Sequence, residues 1–225
     1  LDLPQIALFA VPIIIAITFH EAAHGFAARH FGDDTAARAG RLTLNPLKHI
    51  DPVGTVLLPA LLLVTTGLVF GWAKPVPVNA NALRNPRYDM IWVAIAGPGM
   101  NLLLATASAL GLAVLAQLAS GRIPWLENAL VLSVELNFVL ALFNMLPVPP
   151  LDGSKVLAGL LPDALLHPYL RLERYGFAIL LALLFLLPYL GKQLGTDLNI
   201  FRWLISNPAE WLTRELFSLF GLFVR

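Results

Sequence analysis

In this chain of 225 residues, 58% are hydrophobic and 13% charged, with a mean hydropathy of +0.74, a balance that excludes an ordinary soluble domain and marks a polytopic membrane protein. The formal net charge of +1 gives no basis for nucleic-acid binding, and the absence of cysteine excludes disulfides and thiolate metal sites. At roughly 20 residues per crossing, this length threads several helices and their loops, so one membrane-embedded domain over residues 1–225 is expected.

The first expected element is a helix over residues 5–29, with Pro4 and Pro12 near enough to its start to be tolerated. It carries no basic leader and no small-residue cleavage site, so it reads as a retained helix and not a signal peptide. Polar sequence runs from Phe31 to Pro52. An apolar run follows from Val53 to Ala73, "VGTVLLPALLLVTTGLVFGWA", interrupted by Pro59 and Gly67. A loop with Lys74, Arg84 and Arg87 leads to spans at 88–119 and 126–146. After the proline-rich "LPVPPLDGSK" come a short amphipathic piece and a further span at 175–191. In the closing "SNPAEWLTRELFSLFGLFVR", Ser206 or Asn207 is the expected N-cap, with Pro208 in the first turn and Glu210 completing the cap. Arg214 and Glu215 break its apolar run, so this helix is expected in the membrane interface and not across it.

Residues 17–26, "ITFHEAAHGF", put two histidines and a glutamate at the end of the first apolar stretch. Ionisable side chains in a membrane helix are costly unless paired or liganded. Residues four apart lie on one helix face, so the imidazoles of His20 and His24 can bind one ion while Glu21 leans toward the same ion's water. Packing accounts for many lone histidines on apolar helices; it does not account for three ionisable groups within one turn of a membrane span.

A hydrolytic zinc site takes three protein ligands and leaves one position for water, so a third ligand must come from elsewhere. His30 faces away from that side of the helix, His49 sits in a polar loop beside Lys48 and Asp51, and His167 has no acidic neighbour in "LLHPYL". Asp152, in "NMLPVPPLDG", follows an apolar span and a run of prolines that stiffens the backbone carrying it. It suits either the N-cap of the helix beginning at "GSKVLAGLL" or a ligand, and the two roles are compatible. Asn101 and Asn144 are amides within apolar segments, each a donor for an oxyanion or for an interhelical hydrogen bond. Gly97 and Gly99 suit close helix packing, with Pro98 adding a kink.

Together, "HEAAH" at 20–24, "AGPGMN" at 96–101 and "NMLPVPPLDG" at 144–153, in this order and over most of the chain, resemble the site-2 protease family of intramembrane zinc metalloproteases. The resemblance implies that His20, His24 and Asp152 bind zinc, that Glu21 is the general base, and that Asn144 orients or polarises the scissile carbonyl. "NMLPVPPLDG" carries an extra apolar residue or two relative to a bare NPxPxLDG form, and no insertion is long enough to be a PDZ domain.

Metal ligands must meet at one depth in the bilayer. If helix 1 ends inward near "HEAAH", Asp152 belongs on the same side, which requires an even number of crossings between residues 30 and 147. The spans at 88–119 and 126–146 supply two, so the run at 53–73 is expected to dip in and return as a re-entrant hairpin with "GWAKPVPVN" as its extended arm. Lys and Arg number four in 29–52, three in 74–88 and three in 148–174, against Arg122 alone in 120–127, which puts the zinc side in the cytoplasm. "AGRLTLN" at 39–45 and "KPVPVN" at 74–79 each read as a strand able to hold an unwound substrate or as a simple loop.

The expected fold is therefore an all-α polytopic helical bundle with a re-entrant segment and short β-strands near the zinc site. It divides into the HExxH helix (1–30), a strand-rich and re-entrant region (31–87), a helix pair ending in the aspartate motif (88–153) and C-terminal helices (154–225). The expected activity is zinc-dependent hydrolysis of a peptide bond in or next to a transmembrane segment of another protein, near the cytoplasmic face of the inner or plasma membrane. The partners are that substrate and the lipid bilayer, with no nucleic acid; the oligomeric state is open. A polytopic transporter or scaffold with a non-catalytic metal site is the alternative, and a hydrolase of soluble or lipid substrates a third reading.

Overall fold

The computed structural model describes residues 3–58, 61, 64, 71–118 and 123–222. Its helices are α1 (Leu3–His30), the short α2 (Thr35–Arg38), α3 (Pro86–Leu118), α4 (Pro124–Asn144), α5 (Asp152–Leu160), α6 (Asp163–Leu170), α7 (Gly176–Leu181), α8 (Leu187–Leu194) and α9 (Asn207–Leu219). Four stretches among the described residues are long and apolar enough to cross a membrane: Ala7–His30, Pro86–Leu118, Pro124–Asn144 and Asp163–Leu194. The first three match the expected spans to within a few residues. The fourth begins before the expected 175–191, because Arg171, Glu173 and Arg174 interrupt its hydropathy without interrupting its helical turns.

The bundle is held by a stripe of small residues on α3. Gly97, Asn101, Ala105, Ala109 and Ala113 recur every four positions and are all buried. Side chains this small let helices approach closely, which is how membrane helices gain packing energy when lipid offers no hydrophobic drive. Ala105 and Ala109 meet Val134 and Phe138 of α4 and Ala209 and Phe217 of α9 in one core. The C-terminal helix is thus docked on the bundle through Ala209, Thr213 and Phe217, a stripe of the same period. Its expected cap is not formed. Ser206 has helical φ and ψ of −64° and −53° and makes no capping bond, because a π-turn over Arg202–Ser206 runs straight into α9. Asn199 receives the incoming chain instead, its Oδ1 accepting from Arg202 N at 2.9 Å.

Much of the apolar run at 53–73, including Pro59 and the "TTG" at 65–67, lies outside the described residues. Its two ends lie side by side. Trp72 N donates to Gly54 O at 3.0 Å, Thr55 Oγ1 to Trp72 O at 2.9 Å, and Lys74 N to His49 O at 2.9 Å.

No strand is present among the described residues, so the short β-strands expected at 39–45 and 74–79 are not found. The physical reason is clear at 74–79, which is extended but carries two prolines that cannot donate to a ladder. Side chains take several of its polar groups. Arg41 Nη2 donates to Lys74 O at 2.8 Å and to Pro75 O at 3.3 Å, Val76 N donates to Glu21 Oε2 at 2.7 Å, and Asn79 N donates to Asp33 Oδ2 at 2.6 Å. At 39–45 the chain turns before it can pair, since Asn45 Oδ1 accepts from Leu47 N and opens a 3-10 turn at Pro46–Lys48.

Candidate active site

His20 and His24 lie one turn apart near the end of α1, each 7% exposed, with their rings edge to face and 4.6 Å between centroids. Asp152 reaches them from the first residue of α5. The loop before it folds back so tightly that a Cβ on Gly153 would lie 2.2 Å from the Met145 carbonyl oxygen, which restricts that position to glycine. Asp152 Oδ2 is 3.1 Å from both Nε2 atoms, and these are 3.0 Å from each other. Asp152 does not cap its helix: Leu151 occupies the N-cap position and no side chain bonds there. Its second oxygen, Oδ1, accepts from Lys155 Nζ at 3.2 Å.

The proton positions follow from the outer partners. His24 Nδ1 lies 2.7 Å from Val93 O, a backbone carbonyl that can only accept, so Nδ1 carries a proton and in the neutral ring Nε2 presents a lone pair. His20 Nδ1 lies 2.6 Å from Asn101 Oδ1 and is fixed in the same sense. The Lys155 ammonium beside Oδ1 favours the charged form of the Asp152 carboxyl against the cost of burial. Two imidazole lone pairs and a carboxylate oxygen at 3.0–3.1 Å repel one another unless a cation lies among them. Two histidines and one carboxylate, with each histidine anchored through its other nitrogen, form a donor set that fits zinc.

Gly97 of α3 stands against both rings. A Cβ there would lie 2.4 Å from His24 Nε2 and 2.7 Å from His20 Cε1, so the expected close packing is directed at the histidines themselves. Gly99 meets nothing within 4 Å and has no such role.

Glu21 stands beside the three converging atoms without joining them. One of its oxygens accepts the Val76 amide, as described above. It borders a cavity of about 520 Å³ walled by Ile17, Trp72, Leu140, Phe143 and Phe177, and a smaller one of about 300 Å³ that includes Val76, Met90, Asp152 and Lys155. Trp72 and Phe177 meet edge to face, 5.9 Å between centroids. Asn144 borders both cavities and is anchored through Nδ2, which donates to Leu140 O at 3.0 Å.

The remaining histidines are elsewhere. His30 is exposed against Phe31, His49 is buried with Nε2 2.9 Å from Thr43 O, and His167 is exposed. Among the described residues, His20, His24 and Asp152 are the group able to share one ion. Two residues that support this group are not marked by any spacing in the sequence. Lys155 was visible only as part of "LDGSK". Asn137, inside the apolar α4, bonds to Asn101; an amide in a membrane span was itself a signal that a polar partner existed.

The family model of Peptidase family M50 matches residues 116–187. YwhC of Bacillus subtilis (strain 168), which bears the name of a zinc metalloprotease, is 41% identical over 181 residues, covering 77% of this chain and 78% of YwhC. Rip2 of Mycolicibacterium smegmatis, similarly named, is 30% identical over 172 residues, 76% of this chain and 64% of Rip2. Rip2 of Mycobacterium tuberculosis (strain H37Rv) is 29% identical over 201 residues, 86% of this chain and 71% of that protein. No solved structure matches the chain. With two histidines and an aspartate converging at the end of an apolar helix, and with this degree of likeness to YwhC, the chain belongs to peptidase family M50, the site-2 protease family.

Proposed function

We propose that the protein is an intramembrane zinc endopeptidase that hydrolyses a peptide bond in or next to a transmembrane segment of a membrane-protein substrate, near the cytoplasmic face. The observation that carries this reading is the convergence of His20 Nε2, His24 Nε2 and Asp152 Oδ2 beside an unligated glutamate, at the edge of an apolar cavity. A transporter or a structural metal site has no use for a carboxylate poised next to the ligands in this way.

His20, His24 and Asp152 hold the ion. When bound there, zinc supplies a Lewis acid that polarises the scissile carbonyl and acidifies the attacking water. Glu21 keeps one oxygen on the Val76 amide, which fixes its carboxylate plane, and with the other takes the proton of that water and passes it to the leaving amine. Asn144, tethered through Nδ2 at the border of both cavities, orients the peptide group of the substrate. The cavity walls of Ile17, Leu140, Phe143 and Phe177 take apolar side chains flanking the cleaved bond. Incubating the purified protein with a panel of single-span substrates is expected to give cleavage within or beside the span, lost with a chelator and restored by zinc. Chelator-insensitive cleavage, or uptake of metal with no cleavage of any substrate, would sink the reading.

The shared depth of the ligands goes with a re-entrant segment at 53–73. The pairing of Gly54 and Thr55 with Trp72 supports this, since a full crossing would separate the two ends of the run by the thickness of the bilayer core, about 30 Å. The surplus of Lys and Arg on the flanking loops supports a cytoplasmic position for that side. Single cysteines are easily introduced into this cysteine-free chain. In right-side-out vesicles, cysteines near Asp51 and near Asn81 are expected to be protected from an impermeant thiol reagent while one near position 121 is labelled. Labelling near 81 but not 51 refutes the hairpin.

A further inference from the structure

His20 ends a chain of hydrogen bonds whose direction is set from its far end. Ser133 O is a backbone carbonyl and only accepts, so the Asn137 atom 2.8 Å from it is the amide nitrogen. That turns Asn137 Oδ1 toward α3, where it accepts from Asn101 Nδ2 at 2.8 Å; Ala16 O, at 3.3 Å, is a second acceptor for the same nitrogen. Asn101 Oδ1 is therefore the atom shown to His20 Nδ1. Asn101 and Asn137 are 0% and 1% exposed, so no bulk water offers either amide another partner. Flipping Asn101 alone would set its oxygen against Asn137 Oδ1 and Ala16 O and its nitrogen against the His20 N–H.

We infer that Asn137, which bonds to neither histidine nor Asp152, acts through Asn101 as a positioning residue that selects the His20 tautomer, keeping the proton on Nδ1 and the Nε2 lone pair turned toward His24 and Asp152. Without the Asn137 acceptor, only the longer 3.3 Å bond to Ala16 O opposes a flip that turns the Asn101 nitrogen toward His20 Nδ1. The imidazole proton then moves to Nε2, where it blocks the position a metal needs. Outer partners that fix ligand tautomers in this way typically carry about 10–100-fold in metal affinity.

The inference rests on the metal reading of the site, and its test separates the two. In zinc-free protein at alkaline pH, side-chain 15N spectra, with His20 assigned by its loss in His20→Ala, are expected to show the Nδ1–H form. An Nε2–H form in the wild type overturns the inference whether or not the protein binds zinc. The Nδ1–H form in a wild type that takes up no zinc supports the positioning and defeats the metal reading. Asn137→Leu keeps the volume and removes the acceptor. It is expected to populate the Nε2–H form and to bind zinc about 10–100-fold more weakly in chelator competition. Asn137→Asp, held as the neutral acid between apolar helices, restores both an acceptor for Asn101 and a donor for Ser133 O, and is expected to match wild type in tautomer and affinity. Zinc affinity and a His20 spectrum unchanged in folded Asn137→Leu overturn the proposal. If Asn137→Leu does not fold, an Nε2–H form in the Asp variant does so.

Discussion

Glu21→Gln is expected to reduce cleavage by about 10²–10⁴-fold, the range of a lost general base, while zinc content stays at about one per chain. The two effects separate because of where Glu21 sits. A glutamine still offers a carbonyl oxygen to Val76 N, so the extended arm at 74–79 stays docked. The three converging atoms belong to other residues, so the metal stays. Only the capacity to accept a proton from water is gone. In barrier terms the loss is roughly 3–5 kcal/mol. Metal analysis of the purified variant decides the matter: loss of zinc with the substitution would make Glu21 a ligand and the mechanism wrong.

Asp152→Ala is expected to remove both metal and activity, as are His20→Ala and His24→Ala. Each deletes one corner of the triangle and leaves two ligands. The loss of zinc affinity should therefore exceed the roughly 10–100-fold that changes among outer partners produce. The controls are His30, His49 and His167, which the fold places away from the site, and alanine at any of them should leave zinc content unchanged. Zinc retention by Asp152→Ala equal to that of these controls would leave Asp152 no role beyond its bond to Lys155.

The parts of the site that rest on local spacing were legible in the residues. His20, Glu21 and His24 declare themselves because a helix brings positions four apart to one face, whereas the residues around Asp152 suited a cap or a ligand and the family resemblance implied the ligand. The support was not legible. Val93 O, Val76 N and Asn137 come to the site across separations of 36 to 69 residues, and no periodicity encodes which backbone carbonyl will face an imidazole. The strand expectation at 74–79 failed for a related reason. Alternation of valine and proline reads as an edge strand, yet the groups that satisfy this arm are Arg41, Glu21 and Asp33, all from other elements. The long spans were legible through hydropathy, and the fourth stretch starts earlier than expected because α6 and a 3-10 turn at Glu173–Tyr175 lead into α7.

The amide chain between α4, α3 and α1 also bears on how the protein is made. α1, carrying His20, Glu21 and His24, is translated before the groups that take their hydrogen bonds. Asn101, Gly97 and Val93 arrive only with α3, Asn137 with α4, and Asp152 last of all. Membrane helices with polar groups lacking partners are poorly held in lipid. Until α3 and α4 come to meet it, α1 holds these polar groups without the partners they have in the folded bundle. The helix that carries both histidines is translated before the partners that satisfy it.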